Sequence, residues 1–206
     1  MDKDAWLGDQ VRVLPANQVS WDDLRAIFGT RGSASVCWCQ RYKLSRRESF
    51  ASVPEEVRAD RLREQTGCGD AGGGAEQTNG LVAQLDGQPV GWCAVEPRPA
   101  YFGLLANFRV PWEGRDEDKG DDSVWAVTCV LTRAGFRRRG VSRALISGAV
   151  DHARECGARA IEGYPMTTNK AIAEELHVGS VAGFAAAGLR EVSRPSQRRA
   201  VMRLEF

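Results

Sequence analysis

No run of 18 apolar residues occurs in the chain, so no segment can cross a bilayer as a helix. The opening Met1-Asp2-Lys3-Asp4 is acidic where a signal peptide needs an apolar stretch, so none is expected. An excess of one charge sign is also missing. With 28 Lys and Arg against 27 Asp and Glu, the net charge is +1, which provides no global field toward nucleic acid or an anionic membrane. Histidine is scarce, and the C-x-C of Cys37 and Cys39 lacks the second pair or nearby histidine of a zinc site, so no metal is expected. Cys93 and Cys129 lie in apolar strand-like runs and Cys156 on a helix. With Cys68, the six read as reduced thiols of a cytoplasmic protein, acting mainly as small hydrophobes. What remains is ordinary globular usage, 43% hydrophobic and 27% charged. A chain this long buries roughly 70% of its unfolded surface, so residues 1–206 are expected to form one domain without staples.

The elements alternate. Residues 10–15 read as a strand. Ser20 then caps a helix whose Asp22 and Asp23 suit its positive end, and which stops near Gly29. Residues 30–45 are a polar loop broken by Val36-Cys37-Trp38-Cys39. Ser52-Val53-Pro54-Glu55 reads as a capping box before a charged helix that runs to about Gln65. Glycine-rich residues 67–80 read as a mobile connection. Strands at 81–85 and 89–95 flank Asp86-Gly87, a strong hairpin signal. Residues 97–122 form a long connection, aromatic first and acidic second, with the acids read as a solvated loop. Residues 123–131 are apolar on both alternating faces, as in a central strand covered on two sides. An amphipathic helix from Val141 ends near Gly157, and strand 158–161 follows. A weak helical stretch at 169–177, a short helix at 180–187 closed by Gly188, and strands at 189–192 and 200–204 complete a mixed α/β chain without repeats.

One segment carries chemistry. Val130-Leu131-Thr132-Arg133-Ala134-Gly135-Phe136-Arg137-Arg138-Arg139-Gly140-Val141-Ser142-Arg143 runs from strand through turn into helix. The first turn of a helix leaves amide donors unpaired, and its dipole favours an anion. Four arginines crowd that positive end, each unfavourable there by about 0.3–1 kcal/mol when exposed. A bound diphosphate would reverse that sign. Gly140 lets a phosphate approach the backbone. A Walker loop would require a lysine and an earlier glycine, and a dinucleotide fingerprint three glycines; neither pattern is met.

This segment resembles the acetyl-CoA motif of the GNAT superfamily, [QR]-x-x-G-x-[GA], with Arg137, Gly140 and Ser142 at its defined positions and serine as a mild departure. Ser180-Val181-Ala182-Gly183-Phe184-Ala185-Ala186-Ala187-Gly188-Leu189 is similar to the family's late helix, with Phe184 where a tyrosine is common and His177 where an asparagine is common. The resemblance is specific between Trp125 and Gly188. It implies a mixed, mostly antiparallel sheet of about six or seven strands flanked by helices. It implies an acetyl-CoA-dependent N-acetyltransferase, working by direct attack of a primary amine of a small molecule or peptide on the thioester. Coenzyme contacts would come from Val130, Leu131, Thr132, Arg137, Arg138, Arg139, Gly140, Val141, Ser142 and Arg143. The pantetheine arm would enter a splay between the fourth and fifth strands, with an amide near Val130 polarising the thioester carbonyl. Glu162, at the end of the fifth strand, would be the base, or else an ion-pair partner; Glu96 is the second candidate, and Tyr164 a possible acid.

The acceptor would meet loops at about 30–50 and 97–122, where Trp38, Tyr42, Tyr101 and Phe102 line a pocket or close a small core. His177 would touch coenzyme or substrate, or neither. No nucleic-acid or membrane partner is expected, and the chain would be a monomer or homodimer. Two other readings stay open: a transferase using a longer acyl-CoA, and a catalytically weak acyl-CoA-binding protein with a regulatory role. Phe184 favours the latter, because phenylalanine has no proton to give a departing thiolate.

Overall fold

The computed structural model describes residues 11–69, 77–106, 110–168 and 170–206. Its centre is a seven-stranded sheet in the order β1-β2-β3-β4-β5-β7-β6. The strands are β1 (Val11–Pro15), β2 (Gly80–Leu85), β3 (Gln88–Pro97), β4 (Val124–Thr132), β5 (Ala160–Gly163), β6 (Arg190–Ser196) and β7 (Arg199–Glu205). All neighbours are antiparallel except β4 and β5. The helices are α1 (Trp21–Phe28), α2 (Ser33–Cys37), α3 (Glu55–Thr66), α4 (Phe102–Ala106), α5 (Val141–Glu155) and α6 (Val181–Ala186). No helix among the described residues is long and apolar enough to cross a membrane.

Local chemistry accounts for most boundaries. Ser20 and Asp23 form a reciprocal capping box at the start of α1, and Gly29 ends it. Asp86 and Gly87 both take positive φ, 51° and 74°, as the tight turn of a twisted hairpin requires. Elsewhere the structure departs from expectation. Ser52 does not cap α3: its hydroxyl is engaged with Ser49 in the preceding turn, and Pro54 occupies the cap without a side-chain bond. The loop at 30–45 contains the short α2. Part of the glycine-rich connection, 70–76, and Asn169 lie outside the described residues, and the expected weak helix is a 3-10 turn, Ala173–Val178.

The sheet is covered on both faces. On one, Cys93, Val95, Val127 and Val130 pack with Leu145, Ile146 and Ala149 of α5 and with Phe184 of α6. On the other, Trp92 and Ala94 meet Leu24, Ile27, Phe28 and Trp38, while Ala126 and Val201 meet Tyr42, Tyr101, Leu104, Trp112 and Tyr164. The alternation along β4 slips once. Val95 pairs with Val127, but Ala94 pairs with Cys129, so Thr128 is an extra residue. Before this bulge the even-numbered residues face away from α5, and after it the odd-numbered ones do.

Leu145 is fully buried at the centre of the α5 packing. Leu145→Ala should cost about 2–5 kcal/mol, read as a lower denaturant midpoint at unchanged m-value.

Candidate active site

The bulge coincides with a second irregularity. β4 pairs with β5 only over Val124–Val127, against Ala160–Gly163. From Thr128 to Thr132 its backbone continues with β3 on one side and, among the described residues, no strand on the other. β5 ends at Gly163. This is the splay the sequence anticipates, and Val130, Leu131 and Thr132 lie along its open edge. Gly163, the last residue of β5, leaves no room for a side chain: a Cβ there would sit 2.3 Å from the ring of Phe184. Phe184 is therefore fully buried under the splay, as an apolar floor.

From the end of β4 the chain turns through 133–140 into α5. The amide of Arg133 donates to the carbonyl of Val90 at 2.8 Å and that of Phe136 to Arg133 at 3.1 Å, which fixes the turn. The guanidinium groups of Arg133 and Arg139 both lie 5.6 Å from the Phe136 ring centre. Gly140 caps α5 at φ 78°, with open space where a Cβ would be and no side chain accepting from the first-turn amides. Arg138 also has positive φ, 63°, unusual for a residue with a side chain. Arg137, Arg138, Arg139, Ser142 and Arg143 are exposed, and none of these arginines has a carboxylate partner among the described residues. Val141 instead turns into the core. Uncapped amides, a positive helix end and four uncompensated cations fit a polyanion and stabilise little else.

The sheet face bearing the tyrosines holds two buried carboxylates in one row, because Glu96 pairs across β4's Ala126 with Glu162. Their surroundings differ. Glu162 is closed to solvent. It accepts from Arg203 Nη1 at 2.9 Å, from both Nη atoms of Arg115 and from the Tyr164 hydroxyl at 2.9 Å, and Arg98 Nη1 lies 3.5 Å away. Glu117 joins the same cluster through Arg98 at 3.0 Å and Arg203 at 3.1 Å. Burial and the Glu162 carboxylate hold the Tyr164 phenol well above its usual range. The acids of the long connection are thus not merely solvated: Glu117 ties it to β5 and β7, and Asp121 pairs with Arg159 at 2.6 Å. Trp112 is packed beneath Arg98, Arg115 and Lys119, at 5.0, 5.5 and 5.1 Å from its ring centre.

Among the described residues Glu96 has a single ionic partner, Lys43, and both side chains are largely buried. Burial raises the Glu96 carboxyl above the ordinary range, and Lys43 offsets only part of that rise. Lys43 also lies over the Tyr101 ring at 5.2 Å. Tyr101, expected to line a pocket or close a small core, is fully buried and does the latter, whereas Phe102 is exposed. Tyr42 is buried, its carbonyl accepting from Gly103 N at 2.7 Å and its ring 6.3 Å from that of His177. Cys129, just past the bulge, meets the Cys39 thiol, which also accepts from the Trp92 indole at 3.2 Å. Those two donors lower the Cys39 pKa against the effect of burial and leave that of Cys129 well raised.

The sequence alone names the arginine turn, the splay and both carboxylates. It misses Lys43, Arg98, Arg115 and Arg203. Lys43 had a signal, a lone lysine in the acceptor loop. The three arginines had none, because only the folded sheet brings them together.

The family model described as "Acetyltransferase (GNAT) family" matches residues 38–184. Among solved structures, the chain is similar to a GCN5-related N-acetyltransferase from Kribbella flavida, with a TM-score of 0.53 and 17% identity over 96% of this chain and 99% of that one. The Brucella melitensis ribosomal-protein-alanine N-acetyltransferase gives 0.51 and 17% over 95% and 99%. YncA of Salmonella typhimurium, solved with its cofactor acetyl-CoA, gives 0.51 and 15% over 95% and 94%. At these identities the likeness shows the fold alone. No curated protein sequence matches the chain.

Removing one partner of a buried ionic cluster leaves the rest uncompensated. Glu162→Gln should therefore lower stability by about 3–5 kcal/mol in denaturant titration, whatever its effect on turnover.

Proposed function

We propose, since the chain belongs to the acetyltransferase (GNAT) family, that this acetyl-CoA-dependent enzyme acetylates a primary amine of a small molecule or peptide by direct attack on the thioester. The observation that carries this reading is the continuity of two features. The uncapped, arginine-lined start of α5 leads directly onto the unpaired edge of β4. In this reading the amides and side chains of 137–143 receive the pyrophosphate, and Val130, Leu131 and Thr132 pair with the pantetheine arm. The bulge at Thr128 interrupts the ladder, and in this reading an amide near Val130, just past it, polarises the thioester carbonyl.

The amine must lose a proton as its nitrogen forms the new amide bond and the coenzyme sulfur leaves as thiolate. Glu162 has its oxygens taken up by guanidinium and phenol donors, which supports a positioning role in holding the connection against β5 and β7. Glu96, raised by burial and paired with one lysine, supports the role of proton acceptor. Phe184 cannot reprotonate the thiolate, so that proton comes from water or from the acid formed at Glu96. A cytoplasmic site, where thiols stay reduced, suits the six free cysteines. One observation favours a second reading. With Phe184 sealed beneath the splay, an acyl-CoA-binding protein of little activity would present the same coenzyme site.

Isothermal titration should show saturable acetyl-CoA binding, abolished in Gly140→Trp, whose indole would fill the open space over the α5 amides. Retained affinity in that variant would remove the pyrophosphate assignment. Thiol release with a panel of amines separates enzyme from binder: turnover supports transfer, and tight binding without release supports the second reading. The pH dependence identifies the base. A carboxyl with a raised folded pKa favours the folded state below the ordinary carboxylate range and loses that contribution as pH rises through its folded value. Its capacity to accept a proton appears over the same rise. The acid limb of kcat/KM should accordingly lie above the normal carboxylate range, persist in Glu162→Gln and vanish in Glu96→Gln.

A further inference from the structure

Four chain segments converge around Tyr42, beside the splayed end of the sheet. The loop after α2 supplies Arg41 and Tyr42. α4 begins beside it through the Gly103-to-Tyr42 hydrogen bond. The 3-10 turn contributes His177, whose ring faces that of Tyr42. The β6–β7 hairpin closes the ring, held to the 3-10 turn by the Arg198–Glu175 ion pair at 2.7 Å. Its first β7 residue, Arg199, alternates in phase with Val201, which packs in the same cluster as Tyr42, Tyr101 and Tyr164. Arg199 therefore faces the mouth of the site and not the α5 side.

The charge around this mouth does not balance. Glu96 is taken by Lys43, and Glu162 and Glu117 by Arg98, Arg115 and Arg203. Arg199 is half-buried, and its guanidinium makes one hydrogen bond, to the Tyr164 carbonyl at 3.0 Å. Arg41 is half-buried too, stacked 5.6 Å from the centre of the Phe50 ring. Neither forms a salt bridge among the described residues: the nearby Glu175 feels the Arg199 charge, but its carboxylate is bonded to Arg198. A partly desolvated guanidinium without an anion is unfavourable, and its planar fork matches a carboxylate or phosphate. Tyr42 reports the same field: burial raises its phenol, and Arg199, then Arg41, pull it back.

We infer that the acceptor amine carries an anionic group, a carboxylate in the simplest case, which Arg199 holds with help from Arg41 while the amine faces Glu96. This rests on the acetyltransferase reading above and narrows its acceptor class. Arg199 would be a specificity-determining residue with no part in bond making. Glu96 on β3 and Arg199 on β7 are three strand spacings apart, roughly 14 Å between backbones, which their two side chains bridge together with a small acceptor. A neutral analogue would leave the guanidinium unpaired and be discriminated against.

The test uses the full chain, acetyl-CoA and two matched panels, the free L-amino acids and their C-terminal amides, with thiol release as readout. For acceptors that turn over, kcat/KM should favour the acid over its amide by about tenfold or more. Arg199→Gln should bring that ratio toward one, mainly through KM, and Arg199→Lys should keep part of it. A wild-type ratio near or below one, or an equal loss for acid and amide in Arg199→Gln, would overturn the inference. A second measurement does not depend on turnover. Titration of the coenzyme A-loaded protein with N-acetyl amino acids and N-acetyl amino-acid amides should show preferential binding of the acids, and its absence also overturns the inference. Loss of acetyl-CoA binding itself would instead sink the transferase reading, whereas intact binding with amides as the better acceptors sinks only the anionic acceptor.

Discussion

A strand ladder that stops halfway organises this molecule. β4 is held on both sides through Val127 and on one side only thereafter. Backbone amides and carbonyls at depth need partners, so an edge left open inside a sheet is unfavourable unless something returns to pair with it. The nearby features make sense as consequences. Gly163 and Phe184 close the floor beneath the gap, Thr128 re-phases the strand beside it, and the turn after Thr132 delivers α5 with its amides facing outward. A linear carrier with a phosphate end and an amide-bearing arm satisfies the helix start and the strand edge together.

The two buried carboxylates show how surroundings assign roles to identical groups. They lie in one row across the sheet, one strand apart on either side of Ala126. Three guanidinium groups and a phenol surround Glu162, whereas Glu96 meets one ammonium. The first is suited to fixing architecture, because every displacement breaks several charged contacts. The second is suited to exchanging a proton, because burial works against its charge and only one partner works for it.

Legibility in the sequence followed the range of the interactions. The arginine turn, the Asp86-Gly87 hairpin and the α1 capping box are written in adjacent residues, and each forms where its local chemistry says. The order of elements and the continuous apolar run of β4 were enough to indicate a mixed sheet with a central strand. The Ser52 cap failed because Ser49, three residues back, competes for the same hydroxyl, a choice that propensity does not rank. The bulge was invisible because it is a mismatch between two strands and not a property of one. The Glu162 cluster joins residues 98, 115, 117 and 203, so a sequence scan sees a carboxylate at a strand end without its counter-ions. Exposure was equally non-local: of the neighbours Tyr101 and Phe102, one is sealed in the core and the other faces solvent.

The left-handed backbone at Arg138 carries an implication for variation at this site. A residue with a Cβ in that conformation is disfavoured by roughly 1 kcal/mol or more relative to glycine. Glycine would relax the turn, yet it would also remove a cation from the site proposed for the coenzyme's pyrophosphate. Robustness of the unliganded fold and grip on the acyl carrier therefore pull in opposite directions at this one position, so selection for thermal hardiness alone would tend to erode the site.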